Sequence, residues 1–183
     1  MDVVLAGIPR SGTTMLSRAL EGARPGSTWI KNPQVVFKTH MFAPNALPQS
    51  CTRAIFLYGD PILSAISMRK HRWERRSFRV CGQSRDDVDV FARDDLNFEK
   101  MFDTWVMQEH PYPLLWCRYS HIHEHIRDIS EFVGFSVELP RKLPRTTKYT
   151  DITEEELASA QRTYAQLQRK MASVPTFFIT RRP

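Results

Sequence analysis

The apolar run Val3-Val4-Leu5-Ala6 passes directly into Gly7-Ile8-Pro9-Arg10-Ser11-Gly12-Thr13-Thr14, and Met15, Leu16, Ala19 and Leu20 follow at helical spacing. Strand, glycine-bracketed loop and helix in that order form a unit that turns backbone N–H groups toward an anion at a helix N-terminus. The frame is that of G-x-x-x-x-G-K-[ST], but Thr13 stands where that pattern has its lysine. That lysine reaches the outer phosphates of a nucleoside triphosphate. Here the nearest cation lies three places back, at Arg10. The loop therefore predicts a phosphate-bearing ligand, with ATP not the first choice.

The rest of the chain alternates in the same way. Apolar strand candidates end at Thr39-His40, at Tyr58 and at Tyr119, with a last short one over Phe177-Phe178-Ile179. Helical patterns lie between them: Pro61 onward, with Asp60 as its cap; Phe98 to Gln108; Ile122 to Val133, stopped by Gly134; and Glu154 to Met171. Continuously apolar strands alternating with helices predict a three-layer α/β fold, P-loop-like, with a central parallel sheet of about five strands. Ligands of such sheets bind beyond the carboxyl ends of the strands. The polar stretch 73–95 reads as a surface loop or lid, and 139–150 as a basic link before the C-terminal helix.

A length of 183 residues suits one domain. No apolar run reaches the length of a membrane span, so no membrane partner is expected. With a strand candidate at the very start, no signal peptide is expected. Three cysteines, Cys51, Cys81 and Cys117, lack metal spacing. Together these predict reduced thiols and a cytoplasmic setting. The net charge of +6 suits an anionic ligand. Much of the excess lies in Arg69, Lys70, Arg72, Arg75, Arg76, Arg79 and Arg85, interleaved with Trp73 and Phe78. Such a run could bind nucleic acid, an anionic acceptor or the ligand itself. Its position beside the other candidate residues favours the ligand, so nucleic acid is not the expected partner. His121, His123 and His125 do not share one helical face and have no carboxylate or Cys at ligand spacing, so no metal is expected.

Three segments together resemble one family. Pro9-Arg10-Ser11-Gly12-Thr13-Thr14 resembles the 5′-phosphosulfate loop of sulfotransferases, whose usual form is Pro-Lys-Ser-Gly-Thr-Thr. Phe37-Lys38-Thr39-His40 resembles their strand-ending Lys-Thr-His. Leu57-Tyr58-Gly59-Asp60-Pro61 through Ser67 resembles their 3′-phosphate segment. Pro113 to Tyr119, with the helix ending in Phe132-Val133-Gly134, is a weaker fourth match. The resemblance covers roughly residues 1–135. It implies a sulfotransferase that uses 3′-phosphoadenosine 5′-phosphosulfate as co-substrate and a hydroxyl or amine of a small, possibly anionic, molecule as acceptor. It implies His40 as general base, with Arg10 and Lys38 stabilising the transferred and leaving groups. The N–H groups of Ser11, Gly12, Thr13 and Thr14 would hold the 5′-phosphate. Ser67 would donate to the 3′-phosphate, and Tyr119 would lie near the adenine.

Three features depart from the pattern. Gly59 stands where the family has its 3′-phosphate arginine: either Arg69, Arg72 or a basic residue of 141–148 replaces it, or the 3′-phosphate is bound weakly, or the donor differs. Met15 stands where many members carry a stacking Trp. The C-terminal Arg-Lys-Gly signature is missing, with Arg141, Lys142 and Arg145 as partial candidates. A small-molecule kinase and a non-catalytic nucleotide- or nucleic-acid-binding module are the alternative functions. The first would need Mg²⁺ and ATP; the second would tolerate loss of His40.

Overall fold

Successive residues of the inner strands point to opposite faces, and both faces are buried. The computed structural model describes residues 2–22, 36–72, 74, 87–142 and 144–180. It places β1 (Asp2–Gly7), β2 (Val36–Lys38), β3 (Cys51–Tyr58), β4 (Leu114–Arg118) and β5 (Phe177–Ile179) in one sheet. The order across the sheet is β2-β1-β3-β4-β5. The helices are α1 (Thr13–Leu20), α2 (Pro61–Lys70), α3 (Phe98–Val106), α4 (Ile126–Val133) and α5 (Glu154–Ala172). Val4, Ala6, Phe56 and Tyr58 join a core built with α2, α3 and α5. Val3, Leu5, Ile55 and Leu57 join a second core with α1 and α4. The result is the helix–sheet–helix layering that the alternation predicts.

The larger core is aromatic. Phe56 stacks on Trp105 with centroids 5.7 Å apart, and Tyr58 meets Phe102 edge-on at 5.2 Å. Full burial of a side chain such as Phe56 or Phe102 is worth roughly 1.5–3 kcal/mol. Helix starts are capped where the sequence offers short polar residues. The Asp60 carboxylate accepts from Leu63 N–H at 2.8 Å, with Pro61 beginning α2. Asp94 accepts from Phe98 and Glu99 N–H at 2.9 and 2.8 Å at the start of α3. Thr153 and Glu156 form a reciprocal capping box on α5.

One expectation needs correction: the sheet is mixed. β1, β2, β3 and β4 are parallel, but β5 pairs antiparallel to β4. The reason is the number of passes between them. α4 runs to the amino end of the sheet, where Arg53 donates to the Phe132 carbonyl. The chain then returns to the carboxyl end, bringing Arg145 beside Asp60 and Tyr119. It descends along α2, where Asp151 pairs with Lys70 at 3.1 Å. α5 climbs back, and Arg118 N–H donates to Thr176 at 2.7 Å. An even number of passes leaves β5 running opposite to β4.

Of the stretch 73–95, only residue 74 and residues 87–95 are described. The second part is anchored rather than lid-like. Val90 and Phe91 are buried, and Tyr164 and Thr163 of α5 donate to their carbonyls at 2.8 and 2.9 Å. Arg75, Arg76, Arg79, Arg85, Trp73, Phe78 and Cys81 lie outside the described residues. Among the described residues, no helix is long and apolar enough to cross a membrane. β1 has β2 on one side and β3 on the other. The chain thus changes direction across the sheet between β1 and β3, the place where such sheets open a crevice at their carboxyl ends.

Candidate active site

The loop after β1 is built from its own main chain. Ile8 N–H donates to Leu57 at 3.0 Å and carries the β1–β3 pairing one residue further. Ser11 N–H donates to the Ile8 carbonyl at 3.2 Å. The fully buried Ser11 hydroxyl shares its proton between the carbonyls of Ile8 and, at 3.0 Å, Leu57. Both donors of Ser11 therefore serve the loop itself, unlike the ligand role expected of its N–H. The amides left facing outward are those of Gly12, Thr13 and Thr14. Gly12 begins α1 with no side-chain cap, and among the described residues these N–H groups have no protein acceptor. An uncapped first turn concentrates positive potential there.

Two glycines make this geometry possible. A Cβ on Gly7 would lie 2.4 Å from the Leu57 carbonyl oxygen. Gly12 has φ 83°, and a Cβ there would lie 2.3 Å from the ring of Tyr119. Tyr119, just after β4, thus brings the edge of its ring close against the loop.

Arg10 holds a left-handed backbone with φ 67°, which an L side chain adopts only at a cost. Its Nε donates to Ser67 Oγ at 2.8 Å, and Ser67 is buried on α2. This contact aims the guanidinium across the mouth of the loop. Burial lowers the Arg10 pKa from its usual value, but a guanidinium stays charged. Ser67 Oγ acts as the acceptor here.

On the other side of the loop, Thr39 N–H donates to Leu5 at 2.8 Å and sets the end of β2 level with that of β1. His40 Nδ1 then lies 2.7 Å from the Gly7 carbonyl. With Nδ1 protonated and donating, Nε2 is the free lone pair. Burial lowers the His40 pKa below the usual imidazole range; the Gly7 hydrogen bond opposes this and the charge on Lys38 adds to it. Lys38 Nζ donates to Thr14 Oγ1 at 2.6 Å. Its own pKa is lowered by partial burial and by Arg18, with Glu21 opposing. The segment beyond His40 is tied to the core: Trp105 Nε1–H donates to Met41 at 3.0 Å, and Tyr112 OH to Pro44 at 2.9 Å.

The far side of the crevice is a cavity of about 540 Å³ lined by Gly59, Asp60, Arg118, Tyr119, Lys142 and Arg145, among others. A Cβ at Gly59 would meet Ser11 and Tyr119 at ordinary contact distance, 3.6 and 3.8 Å, so the missing side chain leaves room there. Arg145 is partly buried close to Asp60, Tyr119 and Arg10. Burial lowers its pKa, and the Asp60 charge opposes that. Asp60 uses one oxygen for the cap of α2 and accepts from Tyr149 OH on the other at 2.7 Å. Cations thus outnumber the carboxylate in this cavity.

Arg69 is not part of the group. It sits at the far end of α2, paired with Glu74 at 3.2 Å and Glu156 at 3.5 Å, its guanidinium 4.6 Å from the centre of the Phe91 ring. Residues two apart on a helix do not share a face, so Arg69 cannot accompany Ser67. Arg118, Lys142 and Arg145 provide the cations there. Two of the three histidines also have other partners. His125 bonds Asp128 at 2.9 Å and stacks on Phe177, His121 lies 2.9 Å from Ser120 Oγ, and His123 lines the cavity. Among the described residues, no His, Cys, Asp and Glu group is placed to hold a metal ion.

No protein-family model and no curated protein matches the sequence. A functional reading therefore rests on the residues and their placement. Along the carboxyl edge they follow strand order: Lys38 and His40 at β2, the Arg10–Thr14 loop at β1, Gly59 and Asp60 at β3, Arg118 and Tyr119 at β4. Three strand spacings separate the first from the last, about 14 Å. Sequence reasoning missed Arg118 and Tyr149. Arg118 had a usable signal, since it ends an apolar strand. Tyr149 had none, because its partner lies 89 residues away.

Proposed function

We propose that the protein transfers a sulfuryl group from 3′-phosphoadenosine 5′-phosphosulfate to a hydroxyl or amine of a small acceptor. The observation that carries this reading is the pairing of a main-chain-anchored, neutral His40 with the uncapped amides of Gly12–Thr14 at adjoining strand ends. A base and an anion cradle side by side suit in-line transfer from a phosphate leaving group. An elongated donor would lie along the carboxyl edge. Its sulfate would sit between His40 and Arg10, its 5′-phosphate on the loop amides, and its adenosine against Tyr119. Its 3′-phosphate would sit among Ser67, Lys142 and Arg145.

His40 Nε2 takes the acceptor proton as the acceptor oxygen or nitrogen attacks sulfur. The bond from sulfur to the phosphate oxygen breaks, and the electron pair leaves on that oxygen. Arg10 and Lys38 stabilise the charge that gathers there, and 3′-phosphoadenosine 5′-phosphate departs. Positioning and electrostatics carry the step, as in phosphoryl transfer. Groups of this kind are each worth on the order of 10²–10³ in turnover.

The test is calorimetric titration with 3′-phosphoadenosine 5′-phosphate and with adenosine 5′-phosphate, followed by a transfer assay with chelator present. A preference for the 3′-phosphorylated nucleotide and chelator-insensitive transfer are expected. Tighter binding of ATP with Mg²⁺ would replace this reading with the kinase alternative.

A further inference from the structure

Residues 144–149 of the link lie over the carboxyl end of β3 and the start of α2. Lys142 and Arg145 line the cavity from that link. Four residues beyond Arg145, Tyr149 OH donates to Asp60 at 2.7 Å. The other Asp60 oxygen is committed to Leu63 N–H at 2.8 Å, so the carboxylate is fixed to the start of α2 before the tyrosine reaches it. Just after Tyr149, Asp151 accepts from Lys148 N–H at 3.0 Å and pairs with Lys70 at 3.1 Å. The link is therefore pinned to both ends of α2, and the Tyr149 pin is the one nearest the cavity. Arg145 is drawn to the Asp60 carboxylate more strongly than the like charge of Arg10 repels it. Tyr149 OH fixes the second oxygen of that carboxylate, beside Arg145.

We propose that Tyr149 is a positioning residue: its hydrogen bond to Asp60 latches the link over the cavity and keeps Arg145 where it can meet a second phosphate. Tyr149 then sets the preference for an adenylate phosphorylated twice over one phosphorylated once. This inference rests on the donor reading above for the identity of its ligand, but the latch itself does not.

Two measurements on Tyr149→Phe separate these parts. The first is hydrogen exchange at the amides of Arg145 to Tyr149 without ligand. Faster exchange there than in the wild type, with β1 and β3 unchanged, is expected; unchanged exchange overturns the latch. The second is calorimetry with the same two nucleotides. Loss of one hydrogen bond to a charged partner should weaken 3′-phosphoadenosine 5′-phosphate about tenfold and leave adenosine 5′-phosphate within about twofold. Equal weakening of both overturns the positioning role. The change should vanish in an Arg145→Ala background, because Tyr149 acts through Arg145. A full additional loss in that background counts against the inference. A wild type that does not discriminate between the nucleotides ends the donor reading and the ligand assigned here, while the exchange rates still decide whether the latch exists.

Discussion

Arg10 combines a costly backbone with a well-placed head group. A left-handed L residue costs roughly 1–2 kcal/mol, and φ 67° places Arg10 there. Glycine would relieve that strain but add unfolded-state entropy and leave Ser67 Oγ without its donor. These effects nearly cancel, so Arg10→Gly should change stability by no more than about 1 kcal/mol, about 2–4 °C in melting temperature. Turnover should fall at least about 100-fold. A variant with full turnover removes Arg10 from the chemistry. His40 gives a pH prediction. Its folded pKa is lowered by burial and by Lys38, so the acid limb of turnover should fall below about pH 6.5. Lys38→Gln removes a positive neighbour and should move that limb upward; a limb that does not move sinks the assignment of His40 as base. The same shift links to stability. Because the unfolded chain binds the proton more readily, His40 stabilises the fold fully above its unfolded pKa, and this is lost as pH falls toward the lowered folded value. His40→Asn should therefore lose less stability than wild type between about pH 7.5 and 5.5, measured by urea unfolding.

At the level of elements, the loop and the turn after β4 are fitted to each other through Gly12 and Tyr119. Gly12→Ala should cost about 1–2 kcal/mol for its positive φ and roughly 1–3 kcal/mol more for the Cβ driven into the Tyr119 ring. In a Tyr119→Ala background only the first part should remain, which urea unfolding of the four proteins would measure. Equal costs in both backgrounds would mean that the ring yields freely. The glycine frame that makes this fit was legible in the sequence, and so were the Asp60 cap, the Pro61 start and the strand ends at His40 and Tyr119. Each depends on residues within a few positions of one another. The assignment of Arg69 failed for a local reason, since a helix turns it away from Ser67. The placement of Arg145 and Tyr149 could not be read locally, because only the folded return of the chain from β4 brings them over α2.

Across the whole molecule, the reversal of strand order between β1 and β3 determines where a ligand crevice can open. It opens the carboxyl edge, and residues from four strand ends and from the link converge there. The alternation of apolar strands and helices made the layers legible. It said nothing about the direction of β5, which depends on how many times the chain crosses the molecule after α4. Five of the chain's cations, Arg10, Lys38, Arg118, Lys142 and Arg145, lie along this edge. Lys38 and Lys142 are exposed, whereas Arg10, Arg118 and Arg145 are partly buried. Salt screens exposed charges first, with a Debye length of about 8 Å at physiological ionic strength. On the donor reading, a nucleotide carrying a second phosphate would engage more of these cations than one with a single phosphate. Its affinity should therefore fall more steeply as salt is raised, and the ratio of the two dissociation constants should narrow. Calorimetry at low and high salt reads this directly. A ratio independent of salt would place the second phosphate away from the charged link, and the positive edge would then serve only to draw anions toward the crevice.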